Sequence, residues 1–146
     1  VRFFEERLLG FLEEGLECRR LHVVGLQQHD GHVLEGTVRC GTDADARLAN
    51  PMGTLHGGVI CDIADAAMGT ALATTLEDDE TFTTLDITVK FFKPVWNAHL
   101  RATAEVKRRT RKLGFIECEV TDEKGSVVAK VFSSCMVLRG EDAKGR

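Results

Sequence analysis

Between Asn50 and Leu76 the chain reads NPMGTLHGGVICDIADAAMGTALATTL, and this stretch restricts the fold most tightly. Ile60, Ile63, Ala64, Ala67, Met68, Ala71 and Leu72 recur at three- and four-residue steps, the spacing that lines one face of an α-helix. The predicted helix runs from about His56 to Leu76, roughly 30 Å at 1.5 Å per residue. Its flank is small, with Gly58, Ala66, Gly69, Thr70 and Ala73. Small side chains let sheet backbone approach from several sides, so this helix is expected to be enclosed rather than to lie on a surface. Packing accounts for the stripe. It does not account for Asn50, His56, Gly57, Gly58 or Asp65.

The remaining chain supplies the sheet. Phe4, Leu8, Phe11, Leu12 and Leu16 predict an amphipathic N-terminal helix within residues 1–19, weakened by Gly10 and Gly15. Asp30-Gly31 is a two-residue hairpin signal joining strands near 21–29 and 32–40. Residues 41–55 read as an ordered loop punctuated by Pro51 and Gly53. Four strands follow. In the first, Leu85, Ile87, Val89 and Phe91 alternate with Thr84, Asp86, Thr88 and Lys90. Leu100, Ala102, Ala104 and Val106 alternate in the second, and Ile116, Cys118 and Val120 in the third. Turns are expected at Lys112–Gly114 and Asp122–Gly125, and 141–146 as a frayed tail. Consecutive strands with short turns predict an antiparallel meander. The fold class is therefore α+β: one domain over 1–146, an antiparallel sheet wrapped around a long central helix in the hotdog arrangement.

A formal net charge of -4 argues against a nucleic-acid partner. No apolar run approaches the length that spans a bilayer, and the acids threaded through VRFFEERLLGFLEEGLEC argue against a signal peptide. Cys18, Cys40, Cys61, Cys118 and Cys135 are odd in number and widely spaced. They predict free thiols and a reducing, cytoplasmic setting. His22, His29, His32 and His99 lack ligand spacing, so neither a metal nor another cofactor is expected.

The stretch NPMGTLHGGVICDIADAAMGTA resembles the signature of hotdog-fold acyl-CoA thioesterases, in the phenylacetate-pathway and 4-hydroxybenzoyl-CoA branch. The similarity covers nearly all of residues 20–138. The family pattern has a polar residue seven positions before the oxyanion glycine, a His-Gly-Gly that opens the helix, and an acid nine residues after the histidine. Asn50, His56-Gly57-Gly58 and Asp65 stand at those positions. Some members add a Ser or Thr at the start of the next strand, acting from the partner subunit. Thr84 matches it best, with Thr83 one step away. The resemblance implies a homo-oligomer, with a dimer of dimers as the expected assembly.

Thioester hydrolysis needs a polarised carbonyl, an attacking oxygen and a stabilised leaving thiolate. The first helical N–H groups lack intrahelical partners and sit at the positive end of the helix dipole, and a glycine lets substrate touch the backbone. Gly57 N–H is thus the expected oxyanion donor. Asp65 can attack the carbonyl or deprotonate a water. Asn50 can position the water or the carboxylate. His56 can bond the thioester or the leaving sulfur, or equally cap the loop. Asp62, one turn from Asp65, reads as a structural or interface acid. Gly58 and the basic run KRRTRK, with Arg109, Arg111 and Lys112, are the expected contacts for coenzyme A. Two other readings are a hotdog dehydratase and a non-catalytic acyl-CoA binding module. The first needs a histidine in a different motif. The complete set Asn50, Gly57, Asp65 argues against the second.

Overall fold

The computed structural model describes residues 22–29 and 32–144. The expected N-terminal helix and the Asp30-Gly31 turn lie outside the described residues. Six strands, β1 (His22–His29), β2 (His32–Ala44), β3 (Glu80–Phe91), β4 (Ala98–Arg109), β5 (Leu113–Thr121) and β6 (Val127–Arg139), form one sheet around a helix α1 (Gly57–Ala73). All pairings are antiparallel, in the order β1-β2-β4-β5-β6-β3. His29 pairs with His32, in keeping with the expected hairpin. This is the hotdog architecture.

All seven stripe residues of α1 are buried. They meet a sheet face of Leu100, Ala102, Ala104, Ile116, Cys118, Val120, Ala129 and Val131, also buried. The alanines on both surfaces bring the helix close to the strands. At Gly114 the approach is closest: a Cβ there would lie 2.5 Å from Leu72 Cδ1. Gly114 is therefore a strand residue rather than part of the expected turn, which closes instead through Thr110 N–H to Leu113 O at 2.8 Å. Enclosure of α1 is incomplete. Gly58, Asp62 and Asp65 share an exposed flank.

Three further expectations change. β2 runs to Ala44, four residues into the expected loop. The tail turns through a short 3-10 helix at Gly140–Ala143. The last four strands are not one meander. β3 pairs with β6, β4 pairs with β2, and residues 92–97 cross from the β3 edge of the sheet to the interior strand β4. Hydrogen bonding dictates the route. Leu55 N–H donates to Val95 O at 2.7 Å, which ties the crossing to the segment entering α1.

Glu80 anchors the other end of β3. Its side chain is 2% exposed and takes Arg109 on Oε2 at 2.5 Å and Arg139 on Oε1. The Glu77 N–H adds a bond at 3.1 Å. Burial by itself would raise this carboxyl, but the Glu77 N–H and the two guanidinium groups outweigh it and hold it below its ordinary value. A depressed carboxyl contributes stability above its unfolded value and loses it as pH falls through the folded one. Glu80→Gln should therefore cost about 2–3 kcal/mol at neutral pH, under the full cost of a sealed pair because Arg139 is 32% exposed. In urea titrations the gap to wild type should close as pH falls below the ordinary glutamate range.

Candidate active site

The approach to α1 is a hydrogen-bonded loop. Asp45 caps the 3-10 turn Ala46–Leu48, and Ala49 bridges to Leu55. Asn50 Oδ1 accepts from Met52 N–H at 2.9 Å and Thr54 N–H at 3.3 Å, while Nδ2 donates to Thr54 Oγ1 at 2.8 Å. The Asn50 amide thus organises the loop, with its side-chain bonds going to Met52 and Thr54. His56 N–H donates to Leu48 O at 2.8 Å, which sets where the helix begins.

His56 is the N-cap. Its Nδ1 accepts from Gly58 N–H at 3.0 Å. An accepting Nδ1 leaves the neutral ring's proton on Nε2. Val59 N–H turns back to His56 O at 3.0 Å. Gly57 N–H has no hydrogen-bond partner among the described residues, so one orphan donor stays open at the positive end of the helix. Both glycines are also closely approached by side chains. A Cβ on Gly58 would sit 3.0 Å from the capping Nδ1, and one on Gly57 would sit 3.0 Å from Phe91 Cζ.

Asp65 lies two turns further along α1, on its exposed flank. Loss of hydration, with the Asp62 charge as a second cause, raises its carboxyl above the ordinary value of 3.8. Its negative charge also reaches the Cys135 thiol on β6. Cys135 Sγ donates to Thr84 Oγ1 at 3.9 Å, so Asp65, Cys135 and Thr84 share one neighbourhood. The strand alternation expected around Thr84 is wrong at this point. Thr84 pairs with Cys135 and Asp86 with Ser134, leaving Leu85 as an extra residue in a bulge. The bulge resets the period of two. Phe82 and Thr84 before it, and Ile87, Val89 and Phe91 after it, therefore share the helix-facing side. Thr83 pairs with exposed Met136 on the other.

The basic run caps the β4–β5 hairpin, and Gly114 beside it touches Leu72 near the C-terminal end of α1. Within one protomer the run is therefore at the opposite end of the helix from Gly57. Arg109 is committed to Glu80 and Thr110 O. Arg111 and Lys112 project from the tip and are exposed. The core thiols are poor nucleophiles, since burial pushes Cys40 up to about 11 and Cys118 up to about 12.

A cavity of about 370 Å³ opens beside Gly57, between the start of α1 and the 92–97 crossing. Thr54, Ile60, Phe91 and Lys93 are among its walls. Sequence reading passed over Thr54 and Phe91, because periodicity assigns Phe91 to a strand face without saying which helix residue it meets. A larger groove of about 540 Å³ lies across β2, β4, β5 and β6, among outward residues such as Glu105 and Lys130, away from α1.

Residues 52–129 match the family model of the thioesterase superfamily. The chain belongs to that superfamily. The matched span takes in α1, β3, β4, β5 and the first three residues of β6, so Gly57, Asp65, Thr84 and Phe91 are inside it and Asn50 stands two residues before it. A Saccharolobus solfataricus protein provisionally named an esterase is 30% identical over 87 residues, which is 60% of this chain. The match spans 61% of that relative's length. Among solved structures, a thioesterase from Haemophilus influenzae superposes with a TM-score of 0.77 at 20% identity, over 90% of this chain and 88% of its own. The PaaI protein from the phenylacetic acid degradation operon of E. coli gives 0.77 at 18% identity, over 94% and 96%. At these identities the superpositions speak for the fold. In this thioesterase-superfamily chain, the cap on α1 can be tested apart from any activity. His56→Ala should cost about 1 kcal/mol in urea denaturation, and His56→Asn should recover most of it, because asparagine also caps.

Proposed function

We propose that the protein hydrolyses acyl-CoA thioesters to a free acid and coenzyme A. The observation that carries this reading is the open Gly57 N–H at the start of α1 with the Asp65 carboxyl two turns on. The thioester oxygen accepts from Gly57 N–H as negative charge develops on it. A preorganised donor of this kind is worth roughly 3–4 kcal/mol in the transition state. Asp65 supplies the attack, either directly as nucleophile or by deprotonating a water. Over the cycle the C–S bond breaks, a water oxygen joins the acyl carbon, and the thiolate leaves to take up a proton. His56, whose Nδ1 is occupied by the Gly58 N–H, turns Nε2 outward as a donor for the departing sulfur or the thioester. Asn50 acts through Thr54, whose hydroxyl lines the cavity.

The assembly completes this picture. β3 is an edge strand, and an open edge invites pairing. Its exposed Leu85 and Ile87 favour a second copy. Antiparallel β3–β3 pairing about a two-fold axis sets the Glu80 end of one strand beside the Phe91 end of the other. The β4–β5 hairpin of one protomer then approaches the Gly57 end of its neighbour. Arg111 and Lys112 are the cations for the coenzyme A phosphates. Arg109, held by Glu80, braces the hairpin that presents them. Thr84 faces the junction from the neighbouring subunit, and pairs of dimers form the full assembly.

Two experiments test this. Asp65→Asn should lower turnover of an acyl-CoA by about a hundredfold or more with folding intact. Because Asp65 must be ionised to act, kcat/KM should rise with pH along a limb above 3.8. Asp62→Asn removes a negative neighbour and should move that limb to lower pH. A limb that stays in place would separate Asp62 from the site. For Thr84, turnover should drop about tenfold or more in Thr84→Val and be largely kept in Thr84→Ser, with oligomeric state checked by light scattering. Full activity in the valine variant would remove the hydroxyl from the mechanism.

A further inference from the structure

The cavity beside Gly57 has a chemical character of its own. Leu55, Ile60, Phe91, Phe92 and Val95 give it apolar walls. Lys93 is its one charged wall residue, and that charge is already matched: Nζ lies 2.5 Å from Asp122 Oδ2. Asp122 is in turn held by the N–H groups of Lys124 at 3.0 Å and Ser126 at 2.8 Å. Lys93 is thereby paired with the β5–β6 turn, and an anionic ligand would have to compete with Asp122 for it. The other polar groups on the walls are neutral: the Thr54 hydroxyl, which accepts from Asn50 Nδ2, and the open Gly57 N–H at the reacting end. A carboxylate or a strongly polar group entering here would lose its water without gaining a charged partner of its own, which is costly.

Phe91 bounds this space at the reacting end. It is the last residue of β3, and its ring tip points at Gly57, 3.0 Å from where a Cβ would stand. Yet the residue is 54% exposed, so the ring is not locked into the core. Its neighbours on the same side of β3 and β6, Val89 and Val131, are packed in the core.

We propose that this cavity receives an uncharged, apolar acyl group and that the Phe91 ring sets the length of chain it accepts. The inference rests on the thioesterase reading for the position of the acyl carbon. It goes beyond that reading in naming the class of acyl group and the residue that discriminates within it. A hydrophobic wall discriminates by small steps for each methylene, so truncating the ring should tilt the preference toward longer chains.

The test compares wild type, Phe91→Leu and Phe91→Ala on saturated acyl-CoAs from acetyl to dodecanoyl. An ω-carboxyacyl-CoA matched in length to a neutral member is included. Phe91→Ala should raise the ratio of kcat/KM for long over short chains by about tenfold or more, with Phe91→Leu between. Wild type should favour the neutral chain over its carboxylate-bearing match by about tenfold. Calorimetric binding of non-hydrolysable thioether analogues of the same series reads the cavity independently of turnover. It should show the same shift. If every substrate and analogue weakens in equal proportion in both variants, Phe91 is only a packing residue and the proposal falls. It falls equally if the carboxylate-bearing chain is accepted as well as the neutral one. Wild type that binds the analogues with the predicted preference but cleaves no thioester would instead overturn the hydrolytic reading and leave the cavity assignment standing. Circular dichroism on both variants separates a change in preference from a loss of fold.

Discussion

Burial of the α1 stripe is the constraint from which the site follows. Ile60, Ile63, Ala64, Ala67, Met68, Ala71 and Leu72 leave water together against the sheet, at about 25 cal/mol for each Å² of apolar surface. That burial sets both the position and the rotation of the helix axis. A helix rotated so that its stripe faces inward must turn its other residues outward. Gly58, Asp62 and Asp65 are those residues. The same burial keeps Asp65 close enough to protein atoms to lose part of its hydration, which is why its carboxyl is raised. An acid of this kind arises from helical geometry and needs no separate device.

The glycines at the helix start serve two demands at once. Gly57 yields space to the Phe91 ring and Gly58 to the His56 ring. Close approach of these rings and access for a substrate carbonyl are compatible uses of the same two positions. The His56 cap consumes the Gly58 N–H. By doing so it stabilises the helix terminus while leaving Gly57 N–H open. One side chain both satisfies a donor and, through the tautomer this enforces, keeps a proton on its outer nitrogen.

Two irregularities complete the arrangement. The crossing of residues 92–97 places the end of β3 against the start of α1, and the bulge at Leu85 turns Thr84 toward the helix. Without the bulge, Thr84 would face away with Lys90. Without the crossing, Phe91 would have no reason to meet Gly57. The Glu80 cluster holds the far end of β3 and takes up Arg109 in the process. A cation that looks available in the run KRRTRK is already paired in the folded chain.

The sequence by itself determined the helix, its buried face, the antiparallel sheet, and the set Asn50, His56, Gly57, Asp65 at its spacing. These are local properties: a period of 3.6 or 2, a capping residue, a turn dipeptide, a motif along one stretch. The tertiary structure alone decided that β3 pairs with β6, that Thr84 rather than Thr83 faces α1, and that Arg109 belongs to Glu80. Each of these depends on contacts between segments far apart in the chain, Thr84 with Cys135 and Glu80 with Arg139 among them. Periodicity reports which way a side chain points relative to its own strand. A single inserted residue reverses that direction, and the partner a charge finds depends on which strands the core brings together.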